Sequence, residues 1–426
     1  MCPYFRCFAI EMPHNTAKIG KLRKWQFLKS AFLLGCTAFG GPQMHLPLFS
    51  KRLVDEMGYL TREELTDINA FCSILPGPST TQTITAIGFK LGGPGLAFLT
   101  LLAWVLPGAS VMTIFTLSPS FLSDGHLRFL EPMVAAFLCY AVYSMFNMIR
   151  KDNINYLVFI LAGIAGFIFR NPLIFPFGVL IGGVISSNFG NRKFTPNPQP
   201  FGKVRWANLS LLLFIFLLIG ALGLVLSYNE ETLGLSKPIV LFENTYRMGT
   251  LSFGGGNILS AMAMEHYVYH KPYMSIEQLN TGLGLIQGMP GPNFNLAVYL
   301  NGIAMRTSGF GFEGQLLGCI IGLVGIFLPG ILLVFFAFPL WGRLQTYPIV
   351  KRSLDGIFAA SAGFILSAAL IINQHFWSRI SNIQTEGSDI GIFIIAAILI
   401  FSRKIPPPLI VLGTVIAGIL WSVYSW

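Results

Sequence analysis

The chain contains the same pattern of glycine and proline twice, at a constant separation. Phe39-Gly40-Gly41-Pro42 is followed by Pro76-Gly77-Pro78, and Phe253-Gly254-Gly255-Gly256 is followed, after a gap of the same length, by Pro290-Gly291-Pro292. The offset from the first pair to the second is therefore identical for both elements. Glycine tolerates, and proline imposes, backbone conformations that interrupt a helix. The duplication predicts two related halves, each with two interrupted helices.

Composition places the chain in a lipid bilayer. Hydrophobic residues make up 54% of the sequence and charged residues 11%, whereas a soluble protein carries roughly 25% charged residues. Stretches near 208–227 and 406–424 are almost free of charge and approach the ~20 residues that a spanning helix needs. Within such apolar sequence, duplicated helix breaks are typical of the binding site of a transporter.

The net charge of +10 is best explained by basic loops that set the orientation of the chain in the membrane. A positive potential of this kind also attracts an anionic substrate, and we expect no nucleic-acid partner. The six cysteines are scattered, without a CxxC pair or a histidine at ligand spacing. We therefore expect no metal site, no cofactor and no disulfide.

Apolar segments divide the chain into two sets of six, with one extra segment between them. We predict a basic cytoplasmic leader over 1–25, a first repeat over 26–187, a cytoplasmic linker over 188–206, an extra transmembrane segment over 207–228 and a second repeat over 239–426. Several segments are short or broken by glycine and proline, so some of them are expected to be half-helices.

Basic loops predict how the chain threads the membrane. The acidic loop with Glu230 and Glu231 should lie outside, and the leader, the linker and three basic pairs should be cytoplasmic, namely Arg150-Lys151, Lys351-Arg352 and Arg403-Lys404. Thirteen crossings satisfy all of these positions at once. Because the extra segment reverses the second repeat, the predicted fold class is an all-α polytopic membrane protein with about 12–13 transmembrane segments in two inverted-topology repeats with broken helices.

The Pro-Gly-Pro breaks are the first candidate site. A helix that restarts after Pro78 presents N–H groups without helical partners and the positive end of its dipole. Ser79 and Thr80 follow with hydroxyl donors, and Asn293 follows Pro292 in the second copy. This environment suits an oxyanion. The alternative is a kinked helix that packs on a neighbour, with its hydroxyls bonded to its own backbone.

The Phe-Gly-Gly breaks are the second candidate site, because their glycines allow a close backbone approach. His45 lies just beyond the first copy, and the second copy has Gly256 in place of the proline, with Asn257 beyond it. Close packing of small residues against another helix is the alternative explanation. A lone histidine such as His45, near a helix end, is often a structural hydrogen-bonding group.

No motif for catalysis or proton transfer is evident. HExxH, P-loop and paired catalytic carboxylate patterns do not occur in the sequence, so we predict that the chain is not an enzyme. An Asp/Glu/His chain that could relay protons is not apparent either. Thr61-Arg62-Glu63-Glu64 and Ser275-Ile276-Glu277-Gln278 have the pattern of a helix capping box, and each should start the helix that leads to a Pro-Gly-Pro.

As a set, these motifs resemble those of the chromate ion transporter (CHR) family in its two-domain, long-chain form. Leu106-Pro107-Gly108 completes the set, and the resemblance covers roughly 26–149 and 240–372. It implies an inner-membrane oxyanion transporter of bacterial type, associated with chromate efflux and sulfate exchange. It also implies these functional positions: Phe39, Gly40, Gly41, Pro42, His45, Pro76, Gly77, Pro78, Phe253, Gly254, Gly255, Gly256, Pro290, Gly291 and Pro292.

The sequence therefore predicts a secondary transporter that moves a small divalent oxyanion, chromate or sulfate, across the inner membrane by efflux. Its partners would be the inorganic oxyanion and the lipid bilayer, and a homodimer is left open. A carrier of another inorganic or organic anion is the alternative, followed by a membrane enzyme or an assembly factor.

Overall fold

The structure, a computed structural model, describes residues 20–39, 42–73, 75–118, 124–169, 174–190, 236–252, 258–337, 348–379 and 383–424, together with residues 214, 218 and 256. These residues form helices and turns, and no strand occurs among them. Among the described residues, three helices are long and apolar enough to cross a membrane: Pro94–Leu117, Phe312–Phe336 and Arg352–Ser378. The predicted all-α membrane class is confirmed. The extra segment 207–228 and nearly all of the linker 188–206 lie outside the described residues.

The described part of each half contains eight principal helices, and helix n of the first half corresponds to helix n+8 of the second. The first set comprises α1 (Lys21–Thr37), α2 (Pro42–Phe49), α3 (Arg62–Cys72), α4 (Ser79–Gly92), α5 (Pro94–Leu117), α6 (Leu130–Met148), α7 (Asn153–Phe169) and α8 (Ile174–Phe189). The second set comprises α9 (Ser236–Leu251), α10 (Ile258–Ala263), α11 (Ile276–Gln287), α12 (Leu296–Thr307), α13 (Phe312–Ala337), α14 (Pro348–Arg379), α15 (Ile383–Ser402) and α16 (Pro407–Tyr424). Even the π-helical continuations of α2 and α10 correspond, at Ser50–Glu56 and Met264–His270.

Capping boxes start α3 and α11, as predicted. The Thr61 hydroxyl accepts a hydrogen bond from the N–H of Glu64, and the Glu64 carboxylate accepts one from the N–H of Thr61. Ser275 and Gln278 make the same pair of bonds at the start of α11. Two of the N–H groups that a helix start leaves without a helical partner are satisfied in each case.

Each broken segment folds back on itself as a helical hairpin. In the second half, the hydroxyl of Thr245 in α9 lies 3.3 Å from that of Tyr267 beyond α10. Nearer the open end, Nζ of Lys237 lies 3.9 Å from the ring centre of Tyr273. The earlier residue of the first arm, Lys237, thus contacts the later residue of the second arm, Tyr273. This order of contacts means that the two arms run antiparallel. Both ends of this hairpin therefore lie on the same side of the molecule.

The other broken segments have the same arrangement. The guanidinium of Arg23, near the start of α1, lies 5.5 Å from the ring centre of Tyr59, which follows the end of the second arm. Lys90 at the end of α4 pairs with Glu64 at the start of α3, 2.5 Å apart. In the second half, α11 packs against α12. The half-helices expected from the sequence are thus the arms of four re-entrant hairpins.

Equivalent helices of the two halves run antiparallel. Helices α6 and α14 pack against each other, and Nδ1 of His375 near the end of α14 lies 3.1 Å from Oε1 of Glu131 at the start of α6. At the opposite end, Nε of Arg150 just beyond α6 lies 3.9 Å from Oδ2 of Asp355 near the start of α14. The two repeats are therefore inverted relative to each other, as predicted.

The two repeats also interlock. Helix α14 packs against α7 and α8 of the first repeat, and α6 packs against α15 and α16 of the second. The approach is close: a Cβ atom on Gly356 of α14 would lie 2.0 Å from the carbonyl oxygen of Gly182 in α8. Small residues allow helix backbones to pack in this way within a membrane. Each repeat completes the packing of the other.

The hairpins change the predicted threading at two loops. Because two hairpins in each repeat return to the side from which they start, later basic loops keep their predicted sides. With the leader on the cytoplasmic side, as the basic residues predict, residues 50–62 would also lie on the cytoplasmic side and residues 264–276 outside. The charges of the hairpin arms agree with these sides at three positions of the constant offset, where a cation of the first repeat corresponds to an acid or a histidine: Lys29 to Glu243, Lys51 to Glu265 and Arg52 to His266, whereas Arg23 corresponds to another cation, Lys237.

Accessibility of single cysteines tests this threading. We expect a membrane-impermeant maleimide to label cysteines placed at Lys51 and Arg403 only in inverted vesicles, and a cysteine at His270 only in intact cells, because all three side chains are exposed. A variant without the native cysteines provides the background. Labelling of positions 51 and 270 from the same side would contradict the inverted arrangement of the hairpins.

Candidate functional site at the hairpin tips

The hairpin tips of the two repeats meet through two equivalent hydrogen bonds. The N–H of Gly77 donates to the carbonyl oxygen of Ser252 (2.6 Å), and the N–H of Gly291 donates to that of Ala38 (2.8 Å). The two donors, Gly77 and Gly291, occupy equivalent positions in the two repeats, and so do the two acceptors, Ser252 and Ala38. Each Pro-Gly-Pro tip therefore contacts the residue that precedes the Phe-Gly-Gly tip of the opposite repeat.

Both glycines at these contacts have backbone conformations that favour glycine. The φ angle is +111° at Gly77 and +84° at Gly291, in the region where other L-residues lose roughly 1–2 kcal/mol. A Cβ atom on Gly77 would lie 3.5 Å from the carbonyl oxygen of Gly249, and one on Gly291 would lie 3.5 Å from that of Gly35. The tips therefore lie close to the helices of the opposite repeat.

Helices begin at the tips without a side-chain cap. Helix α4 starts at Ser79 after Pro78, and the 3₁₀ turn before α12 starts at Asn293 after Pro292; neither start has a side-chain capping bond from the described residues. The first N–H groups of a helix have no helical partner, and the helix dipole makes this end positive. Helices α2 and α10 also start just beyond hairpin tips. Four helical segments therefore have their N-terminal ends at the tips.

The first repeat adds a buried polar cluster beside its tips. His45 is 1% exposed, and its Nδ1 lies 3.3 Å from the hydroxyl of Thr80. The indole N–H of Trp104 donates to the hydroxyl of Thr81 (3.1 Å), and the rings of His45 and Trp104 meet edge to face. Nε2 of His45 is buried without a hydrogen-bond partner among the described residues. This nitrogen is available to a bound group.

The second repeat contributes a small cavity instead. The counterparts of His45, Thr80 and Trp104 are buried and apolar, namely Leu259, Phe294 and Ile326. Gly256, Ser260, Gln287 and Asn293 line a cavity of about 20 Å³ against the apolar face of α6. This volume holds about one water molecule.

Two buried amides lie directly behind the tips. The side-chain nitrogen of Gln82 donates to the carbonyl oxygen of Pro76 (2.7 Å), and that of Asn295 donates to the carbonyl oxygen of Val105 (3.3 Å). The side-chain oxygens of Gln82 and Asn295 are buried without a partner in the described part of the chain. Together with Nε2 of His45, they leave hydrogen-bonding capacity at the junction of the repeats.

The Leu-Pro-Gly motif packs onto the tips, a role that sequence reasoning missed. A Cβ atom on Gly108 would lie 2.3 Å from the carbonyl oxygen of Pro290. Its counterpart Gly330 faces the tip of the first repeat, where a Cβ would lie 3.2 Å from Nε2 of Gln82 and 3.4 Å from Cδ of Pro78. The recurrence of this motif in both repeats was the signal available in the sequence.

The structure brings most of the predicted site residues to this junction. His45, Thr80, Gly77, Gly291 and Asn293 make the contacts described above, with Phe39, Pro42, Pro76, Pro78, Ser79, Gly256, Pro290 and Pro292 beside them in the chain or in the cavity wall. Six predicted residues lie outside the described residues: Gly40, Gly41, Phe253, Gly254, Gly255 and Asn257. Trp104 joins the site without having been predicted.

A helical membrane protein of two inverted repeats, whose broken helices meet at a buried polar junction, has an architecture that many transporters share. Comparison with known sequences identifies the group: the chain belongs to the chromate transporter family, which it matches over residues 25–187 and 239–419.

Related proteins extend over nearly the whole chain. An uncharacterized transporter of Methanocaldococcus jannaschii is 24% identical over 91% of this chain and 92% of its own. The chromate transport protein of Pseudomonas aeruginosa is 24% identical, over 94% and 91% respectively. A probable chromate transport protein of Synechococcus elongatus is 23% identical, over 96% and 97%. No solved structure matches the chain.

Proposed function

We propose that the protein is a secondary transporter that moves a small divalent oxyanion, chromate or sulfate, out of the cell across the inner membrane. The observation that carries this proposal is the pair of uncapped helix starts behind Pro78 and Pro292. Each presents N–H donors and a positive dipole end, the combination that binds anions at helix N-termini. Chromate and sulfate share their charge and tetrahedral shape, so the same donors suit both.

The proposed binding site lies between the tips, and the names of the relatives from Pseudomonas aeruginosa and Synechococcus elongatus support the substrate class. Its proposed residues are Phe39, Gly40, Gly41, Pro42, His45, Pro76, Gly77, Pro78, Ser79, Thr80, Phe253, Gly254, Gly255, Gly256, Asn257, Pro290, Gly291, Pro292 and Asn293. We take 26–187 and 239–426 as the two repeats, which rock against each other to expose the site to one side and then the other.

The membrane potential is sufficient to drive this export. Moving one charge through 100 mV is worth ~2.3 kcal/mol, so a dianion gains about 4.6 kcal/mol on leaving an inside-negative cell. This energy supports a concentration ratio of roughly 10³. No ATP-binding motif is present in the sequence, which agrees with a carrier driven by the potential.

Inverted vesicles test the direction and the driving force. We expect an imposed interior-positive potential to drive uptake of radiolabelled chromate and sulfate into vesicles that contain the protein, with molybdate as a third substrate for comparison. Vesicles without the protein are the control. Uptake that ignores the potential and requires ATP would contradict the proposal, and uptake of an organic anion alone would assign a different substrate.

The hydroxyls at the start of α4 provide a graded test of the site. Thr80→Ala or Ser79→Ala removes one donor, and we expect substrate binding to weaken by ~1–3 kcal/mol. Thr66→Ala is the matched control, because Thr66 is an exposed threonine whose hydroxyl donates to the carbonyl oxygen of Arg62 in its own helix. Binding of radiolabelled sulfate to detergent-purified protein measures both. Equal affinities for all variants would move the site away from α4.

A further inference from the structure

The helix that leads to the Pro-Gly-Pro tip of the first repeat, α3, has a polar exposed face. Every exposed side chain described for α3 is polar, including Glu63 and Asp67, and its capping residue Ser73 is exposed just before Pro76. By contrast, α8 exposes phenylalanine, leucine, isoleucine and valine, which suit lipid. Exposed polar groups on a hairpin arm within the membrane require water. The exposed face of α3 therefore lines a water-filled space.

The corresponding helix of the second repeat, α11, is covered by α6. Asn280 is 1% exposed and Leu283 is 4% exposed. A Cβ atom on Gly284 would lie 3.2 Å from Cβ of Leu130 at the start of α6. Positions 280, 283 and 284 lie on one side of the helix. We call the contact of Asn280, Leu283 and Gly284 with α6 the outer seam.

The packing partners of the two arms show the same difference. In the described part of the chain, α3 packs mainly against α4 and the π-helical segment Ser50–Glu56, whereas α11 packs against α6 and α16 as well as α12. At the constant offset of the repeats, the exposed residues Ser73 and Lys51 correspond to the half-buried Gln287 and the buried Glu265. The first repeat is thus open along this arm, and the second is closed.

Asn280 has a buried amide that the closed seam leaves unsatisfied. Neither the oxygen nor the nitrogen of its side chain has a hydrogen-bond partner among the residues that the structure describes. Burying a polar group without a partner costs free energy, which water restores when the group is exposed. Asn280 therefore reduces the free-energy difference between a closed and an open outer seam.

Charge favours the entry of an anion on the open side. Residues 20–73, which hold the first hairpin and α3, contain seven Lys or Arg and five Asp or Glu, whereas the equivalent residues 234–287 contain three of each. An excess of positive charge raises the local concentration of anions. By the predicted threading, α3 starts on the cytoplasmic side and α11 starts outside.

We propose that α3 lines the cytoplasmic entrance to the oxyanion site and that the outer seam is its exit. This inference rests on the proposed function. The hydrated dianion passes along α3 to the helix start at Ser79, and α11 then moves away from α6 to open the path outside.

The proposal refines the rocking of the two repeats. Helices α7 and α14 stay together, because their backbones are in contact: a Cβ atom on Gly363 would lie 2.3 Å from the carbonyl oxygen of Phe159. At the outer seam, Gly284 meets only the side chain of Leu130. The molecule therefore divides at the seam, and each moving unit contains helices of both repeats.

Cysteine accessibility tests the two openings without any transported ion. In full-length protein without the native cysteines, Ser73→Cys should react with sulfonatoethyl methanethiosulfonate, a small anionic thiol reagent, added from the cytoplasmic side. Gln287→Cys, at the equivalent position, should react at least about tenfold more slowly from either side, because the cavity beside it holds about one water molecule. Equal rates, or an unreactive Ser73→Cys, would overturn the proposal.

A disulfide across the outer seam should stop transport. Leu130→Cys with Gly284→Cys places two Cβ atoms 3.2 Å apart, close to the roughly 3.5–4.5 Å of a disulfide. In proteoliposomes that transport sulfate, oxidation with copper phenanthroline should lower uptake at least about tenfold, and dithiothreitol should restore it. The matched control is Gly166→Cys with Ser367→Cys, which links α7 to α14 across the repeats at 3.0 Å. Its uptake should stay within about twofold after oxidation.

The two disulfides distinguish the possible motions. If both of them block transport, the repeats move as whole units, and if neither does, the outer seam stays shut during transport; either result contradicts the proposal. Transport by each double variant in its reduced form shows that it is folded. If the wild-type protein transports no oxyanion, the proposed function fails, while the reactivities of Ser73→Cys and Gln287→Cys still test the two openings.

Discussion

Replacing Gly291 with leucine should abolish transport while the protein still inserts in the membrane. The φ angle of +84° at this residue disfavours any L side chain by roughly 1–2 kcal/mol. A Cβ would also lie 3.5 Å from the carbonyl oxygens of Gly35 and Trp104, so a leucine side chain would begin in contact with backbone atoms of the opposite repeat. We expect the strain and the added bulk to move the tip and to break its hydrogen bond to Ala38. Gly77→Leu should have the same effect through Ser252.

Gly309 provides a matched control for this experiment. Its φ angle is +83°, and a Cβ there would meet nothing within 4 Å. Gly309→Leu therefore introduces the same backbone strain outside the site. Vesicle uptake of radiolabelled chromate, normalised to the amount of protein in the membrane, measures the effect. Full uptake by both Gly291→Leu and Gly77→Leu would show that the site lies elsewhere. Loss of uptake in Gly309→Leu would show that backbone strain alone explains the loss of transport in the tip variants.

Gly108→Ala should reduce transport at least tenfold, whereas Gly330→Ala should stay within about twofold of the wild type. The two glycines occupy equivalent positions in the repeats, but their surroundings differ. A methyl group on Gly108 would lie 2.3 Å from a backbone oxygen of Pro290, which cannot move without the tip. On Gly330 the nearest atom, 3.2 Å away, belongs to the side chain of Gln82, which can adjust.

Parallel assays separate a damaged site from a damaged fold. Both variants are compared for chromate uptake and for melting temperature in detergent. We expect Gly108→Ala to lose uptake with a loss of stability of about 1–3 kcal/mol, the usual cost of overpacking. Equal uptake by the two variants would mean that contact between the Leu-Pro-Gly motif and the opposite tip has no part in transport.

Much of this architecture could be predicted because glycine, proline and capping residues act locally. Pro76-Gly77-Pro78 marks where a helix must end, and the capping box at Thr61 marks where one must begin. The constant offset between the two copies of the motifs then carries each inference from one repeat to the other. Basic loops predicted the inversion that the antiparallel packing of α6 and α14 confirms.

The direction of the chain beyond each break could not be predicted. A proline-glycine break shows where a helix stops, but the contact of Arg23 with Tyr59, which shows that the chain returns, depends on tertiary packing. The contact between Glu131 and His375 was missed for a similar reason. Glu131 lies at the start of α6 and His375 near the end of α14, and only the antiparallel packing of these two helices brings the residues together. Trp104 resembles an ordinary membrane aromatic until its indole is seen to bond Thr81.

The interlocked packing of the repeats imposes an order on synthesis. Helices α7 and α8 are complete once the ribosome passes residue 189, but their main partner α14 begins only at residue 348. At elongation rates of about 5–20 residues per second, this interval is roughly 10 to 30 seconds. During that time the glycine-lined surfaces of α7 and α8 face lipid or an insertion factor. The first half of the chain therefore remains an unfinished folding intermediate until the second half arrives, and quality control must tolerate it for that period.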